Sequence, residues 1–111
     1  MTDATIDLAT YKELQETAGA DFVAELVDTF LEEAPQMLAE LRAALAGGAA
    51  ERFRRAAHSL KSNANTFGAA ALAAKARELE LGGLPAGPQP IDALQAEYER
   101  AAAELKGLRN V

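Results

Sequence analysis

Cysteine is missing from this sequence and histidine occurs once. Without thiols, neither a disulfide nor a thiolate metal site can form. A single imidazole, with no second one to share an ion, argues against a metal centre. Tryptophan is absent as well, and four Phe and two Tyr are the whole aromatic set. No apolar run reaches the roughly 18 residues of a membrane span, and no basic-then-apolar signal pattern opens the chain. The expected location is the cytoplasm, which the lack of cysteine also fits. Positive charge is in the minority, with 11 Lys and Arg against 17 Asp and Glu and a formal net charge of −6. That balance argues against nucleic acid as a partner. There is no P-loop and no glycine-rich nucleotide fingerprint.

Ala, Leu, Glu and Arg are plentiful and β-branched residues scarce, which is the composition of helices. A length of 111 residues suits one domain over residues 1–111, built on one core. Residues 1–6 are expected to fray. Asp7 is a suitable N-cap for a short helix carrying Leu8, Tyr11 and Leu14 and ending near Gly19. A second helix begins near Asp21. Its stripe is Phe22, Leu26, Phe30, Met37, Leu41 and Leu45, widened by Val23, Val27, Leu31 and Leu38. Pro35 falls inside this run, and the pattern resumes in phase after it, so a kink is expected rather than a stop.

Gly47-Gly48 ends the second helix, and a third spans about 49–67. Gly68 turns the chain into a fourth helix with Leu72, Ala76 and Leu79 inward. Residues 82–90, rich in Gly and Pro, form the one clear loop. Pro90 is placed to open a last helix with the stripe Ile91, Leu94, Tyr98, Ala101, Leu105 and Leu108. The expected fold is all-α: an antiparallel four-helix bundle with a short additional N-terminal helix. Phe22, Phe30, Leu41, Phe53, Leu60 and Phe67 are its expected large core residues.

The single histidine stands on the third helix. At about 100° per residue, Phe53, Ala56, Leu60, Ala64 and Phe67 gather into one apolar sector. Glu51, Arg54, Arg55, Lys61, Ser62 and Asn65 lie around His58 on the opposite side. The imidazole therefore points away from the core, with the small side chains of Ala57 and Ser62 leaving it open. Lys61, one turn on, places a positive charge beside the ring that can steady an anion; Arg54 and Arg55 add to that field. If the chain reverses at Gly68, His58 stands level with two acids on the next helix. Glu78 projects away from it, whereas Glu80 sits at the edge of the core face. From there Glu80 can accept a hydrogen bond from Nδ1–H and leave Nε2 as the nucleophile. Geometry alone divides Glu80 evenly between that role and a half-exposed ion pair with a lysine or arginine.

His58, Leu60, Lys61, Asn65 and Gly68, with Phe67-Gly68-Ala69 closing the segment, resemble the signature of histidine-containing phosphotransfer (HPt) domains. Ser62 stands where the family often has glycine, and Asn63 where it has serine; Ser62 is still small. The resemblance covers nearly the whole chain through helix order and length, with its specificity in residues 56–80. It implies a phosphorelay intermediate in which His58 takes a phosphoryl group from one receiver-domain aspartyl phosphate and passes it to another receiver's aspartate. It also favours Glu80 as a site residue, since a hydrogen-bonding side chain often occupies that position. The implied partners are response-regulator receiver domains or a hybrid histidine kinase. Mg²⁺ is expected on the receiver, with no cofactor on this chain, which is a carrier rather than an enzyme and is expected to be a monomer. Its docking face is expected to surround His58, with Ala57, Ser62, Gly68 and Ala69 letting the partner approach.

Two rivals from other classes have distinct signatures. A helical adaptor would keep the bundle and bind by shape, without accepting phosphate. A receptor-kinase dimerisation segment would form a two-fold core between chains; its phosphorylated helix usually reads His-Glu-x-x-x-Pro, whereas here Ser59 follows the histidine and no proline is near.

Overall fold

The structure is a computed structural model that describes residues 5–109. It contains five helices: α1 (Leu8–Ala18), α2 (Ala20–Ala46), α3 (Ala50–Thr66), α4 (Ala70–Leu81) and α5 (Gln89–Arg109). Among the described residues there is no strand, and no helix is long and apolar enough to cross a membrane. α2 packs on α3 and α5, α4 packs on α3 and α5, and α1 packs on α2. The five helices share one core, to which α1 contributes Tyr11.

The helix ends follow from local chemistry. Asp7 caps α1, its carboxylate accepting from the Ala9 amide at 3.1 Å and from the Thr10 hydroxyl at 2.9 Å. α3 closes with paired bonds: Gly68 N–H donates to Asn65 O at 3.1 Å and Ala69 N–H to Ala64 O at 2.9 Å. This pattern needs a left-handed residue after the last turn, and Gly68 supplies it with φ +77°. Gly48, with φ +64°, closes α2 in the same way.

α2 runs unbroken through Pro35. A proline cannot donate to the carbonyl four residues before it, which here belongs to Leu31. That oxygen accepts instead from the Tyr98 hydroxyl of α5 at 3.4 Å.

The core is built from Phe53, Leu41, Leu60, Leu72, Ile91, Leu94, Leu105, Val23 and Val27, all fully buried. Each such side chain contributes about 1.5–3 kcal/mol of transfer free energy. Phe30 joins α2 to both sides of the core, its ring 5.4 Å from Phe67 and 5.7 Å from Tyr98. Ala34, Ala44, Ala64, Ala76 and Ala101 are buried between helices, where small side chains let the backbones approach.

Two expectations are corrected. Phe22 is 50% exposed, not a core residue. The buried meridian of α2 runs through Val23, Val27, Phe30, Ala34, Leu38 and Leu41, and Phe22 lies about 100° from Val23 around the helix. The fraying expected for residues 1–6 does not extend to the last two. Ile6 is fully buried, and the amides of Thr5 and Ile6 donate to the Glu104 carboxylate at 3.3 and 3.0 Å. Residues 1–4 lie outside the described residues.

Candidate functional site

The α3–α4 hairpin brings together residues far apart in sequence. His58 lies in the middle of α3, on the side opposite Leu60 and Ala64. After the reversal at Gly68, α4 returns alongside and presents Glu80 from its last turn. The His58 Nδ1 lies 2.6 Å from Glu80 Oε2, and Lys61 Nζ lies 2.7 Å from Glu80 Oε1. The Lys61 contact is a short ion pair rather than an aligned hydrogen bond. One carboxylate therefore holds both neighbours.

Exposure grades across the three side chains. His58 is 53% exposed, Lys61 23% and Glu80 9%. The acid forms the wall of the site and the imidazole its open edge. Lys61, and after it His58, hold the Glu80 carboxyl below the usual carboxylate range. Glu80 is thus ionised at neutral pH, and an anion at Nδ1 favours the tautomer with hydrogen on that nitrogen. Among the described residues no group bonds Nε2, so its lone pair faces outward.

The other expected site residues separate into two groups. Ser62 and Asn65 are exposed on the His58 side of α3. Ala57 and Ala69 are fully buried, which corrects their expected place on an open docking face. Ala57 is only 60° from Leu60 around the helix, so it turns inward although it adjoins His58 in sequence. Gly68 is half-buried beside the start of α1. A side-chain carbon there would stand 3.0 Å from both Asp7 O and Thr10 Cβ, so its smallness accommodates α1. Glu78 is exposed, and Glu80 alone of the two acids reaches the ring.

Two further ion pairs of α3 were not revealed by the sequence. Arg54 pairs with Glu51 along α3 and also feels the Glu80 charge. Arg52 reaches across to Glu40 of α2, with Nη2 2.8 Å from Oε1. Between α2 and α3 an open groove of about 420 Å³ runs past Met37, Glu40, Arg52, Arg55 and Ser59. Nothing local signals such a groove, because Glu40 and Arg52 belong to different helices. Among the described residues no group of three or more His, Asp or Glu side chains is placed to hold a metal ion.

Comparison with known proteins bears on this geometry. No curated protein sequence matches the chain. Its fold is similar to the crystal structure of histidine-containing phosphotransfer protein B (HptB) from Pseudomonas aeruginosa PAO1. The match has 30% identity and a TM-score of 0.90, covering 98% of this chain and 97% of that one. The Hpt domain pattern matches residues 25–104, a span that includes His58, Lys61 and Glu80. With a pattern over most of its length and a fold shared end to end, the chain belongs to the Hpt domain family.

Proposed function

We propose that the chain is a phosphorelay intermediate of a multistep two-component system, with His58 as the phosphoacceptor. The observation that carries this reading is the exposed imidazole whose Nδ1 is engaged by Glu80 at 2.6 Å, which leaves Nε2 as the reactive nitrogen. In the forward step the Nε2 lone pair forms a P–N bond to the phosphorus of a receiver aspartyl phosphate. The acyl P–O bond breaks, and its electron pair stays on the aspartate oxygen. The Nδ1 proton stays on the ring, facing Glu80, so no general base is required. Phosphohistidine has a high transfer potential, and a second receiver aspartate can take the group by the reverse chemistry.

The partners are response-regulator receiver domains or a hybrid histidine kinase. The receiver supplies Mg²⁺ and most of the charge stabilisation in the transition state. This chain supplies a positioned nucleophile and needs no cofactor of its own, which makes it a carrier. An antiparallel bundle of α2 to α5 with α1 added, acting as a cytoplasmic monomer, completes the reading. Ser62 and Asn65, exposed beside His58, belong to the face that meets the receiver.

The test is to incubate the protein with a phosphorylated receiver. Acid-labile, base-stable label on the wild type and none on His58→Gln is the expected result. Label that persists in the variant would move the acceptor elsewhere, and no label on either would favour a non-phosphorylated adaptor.

A further inference from the structure

Glu80 has one negative charge and two neighbours that use it. Its Oε2 stands 2.6 Å from His58 Nδ1, and its Oε1 stands 2.7 Å from Lys61 Nζ. The carboxylate is nearly enclosed at 9% exposure, so it cannot follow a group that moves outward. Lys61 can, because its ammonium rides on a flexible four-carbon stem.

We propose that Glu80 is a latch for Lys61, holding its ammonium beside the imidazole until a phosphoryl group on Nε2 draws it away. This deepens the acceptor reading above and rests on it. Phosphoryl transfer changes the charge on both sides of the carboxylate. The Nε2 lone pair forms the P–N bond, the donor P–O bond breaks with its electrons left on the donor oxygen, and Nδ1 keeps its hydrogen. The ring now carries positive charge, which strengthens its contact with Glu80. The phosphoryl oxygens carry nearly two negative charges, more than the carboxylate that Lys61 shared with the ring. Lys61 therefore exchanges Oε1 for a phosphoryl oxygen, and Glu80 remains on Nδ1–H alone. Glu80 is a positioning residue in both states: it directs phosphorus to Nε2, and it keeps the cation one turn away from where the anion will appear.

The full chain, labelled with ¹⁵N and ¹³C, tests this with phosphoramidate as a small phosphoryl donor that needs no receiver. Phosphorus and ring-nitrogen spectra report which nitrogen is modified, and the Lys61 Nζ and Cε resonances report the latch. The expected result is phosphorus on Nε2 with Nδ1–H retained, accompanied by a shift of the Lys61 signals and none of comparable size at Lys75. In Glu80→Gln, which keeps an acceptor for Nδ1–H but no charge, the Lys61 signals should sit at the unpaired position before any phosphorus is added. Phosphorus on Nε2 with unmoved Lys61 signals overturns the latch and leaves the acceptor reading standing. Phosphorus on Nδ1 overturns the positioning role of Glu80. If neither phosphoramidate nor a phosphorylated receiver modifies His58, the acceptor reading fails and the latch falls with it. The wild-type comparison needs no variant to fold.

Discussion

The Asp7 amide donates to the Gly68 carbonyl at 2.9 Å, tying the start of α1 to the turn that aligns α3 with α4. Gly68 meets two demands at once, a left-handed φ of +77° and a close pass by Asp7, whose carbonyl oxygen would lie 3.0 Å from any side-chain carbon placed there. Gly68→Ala should therefore cost about 2 kcal/mol or more, from backbone strain and the displaced Asp7 together. For a domain of this size that corresponds to a fall in Tm of roughly 8 °C or more. Thermal unfolding followed by circular dichroism measures it; an unchanged Tm would mean that α1 yields freely at this contact.

Tyr98 and Pro35 should be coupled although they lie on different helices. The Tyr98 hydroxyl supplies the hydrogen bond to Leu31 O that proline cannot. Tyr98→Phe should cost about 1 kcal/mol in the native background, the usual worth of one neutral hydrogen bond. In a Pro35→Ala background an amide is restored at position 35, and the same replacement should cost measurably less. A double-mutant cycle in urea reads the difference. Equal costs in both backgrounds would show that the hydroxyl does not compensate for the proline.

The helices were legible in the sequence because they depend on short-range regularities. The pairing of His58 with Glu80 was only half legible: the residues alone left Glu80 divided between that role and a surface ion pair, and the family resemblance favoured the site. A period of 3.6 places His58 opposite Leu60, and a count of residues through Gly68 places Glu80 level with His58. Phe22 was misplaced because large residues dominate a hydrophobic stripe, whereas the buried meridian of α2 includes Ala34 and Ala44, which add little weight to it. Ala57 and Ala69 were read as small and therefore open, yet smallness serves close helix packing equally well. The anchoring of Thr5 and Ile6 by Glu104 joins residues 99 and 98 positions apart, and no periodicity carries such a signal.

Replacing the imidazole should separate activity from stability. His58 is 53% exposed, and among the described residues its polar partner is Glu80. His58→Gln should abolish phosphoryl acceptance while changing the unfolding free energy by within about 0.5 kcal/mol. Denaturant unfolding beside a phosphotransfer assay provides both readings. A large loss of stability would mark His58 as a packing residue and remove it as the acceptor.

Lys61→Ala should slow transfer without abolishing it, because the ammonium contributes charge and not the attacking atom. Lys61 is 23% exposed, so added salt screens it in part. The wild-type advantage should accordingly shrink as salt is raised from about 0.05 M to about 0.5 M, a range over which the Debye length falls severalfold. Transfer rates from one phosphorylated receiver, measured across that series, give the answer. A variant as fast as wild type at low salt would leave Lys61 no electrostatic part in the reaction.

The ion pairs of Glu80 should also set a pH dependence of stability. Its carboxyl is held below the usual carboxylate range, first by Lys61 and then by His58. A carboxyl with a lowered folded value binds fewer protons in the native state than in the unfolded one. Its stabilisation is therefore fully present above the unfolded value of about 4.3, and it is lost as pH falls through the lower folded value. Glu80→Gln keeps the shape and removes the charge. The variant should melt below wild type at neutral pH, and the gap should narrow as the solution is acidified below the ordinary carboxylate value. Glu40 and Glu51 are lowered in the same direction by Arg52 and Arg54, but both remain in the variant and cancel in the difference. Paired melting curves at matched pH isolate the Glu80 contribution. A gap that stays constant through the acid range would assign the loss to the shape of the amide rather than to the missing charge.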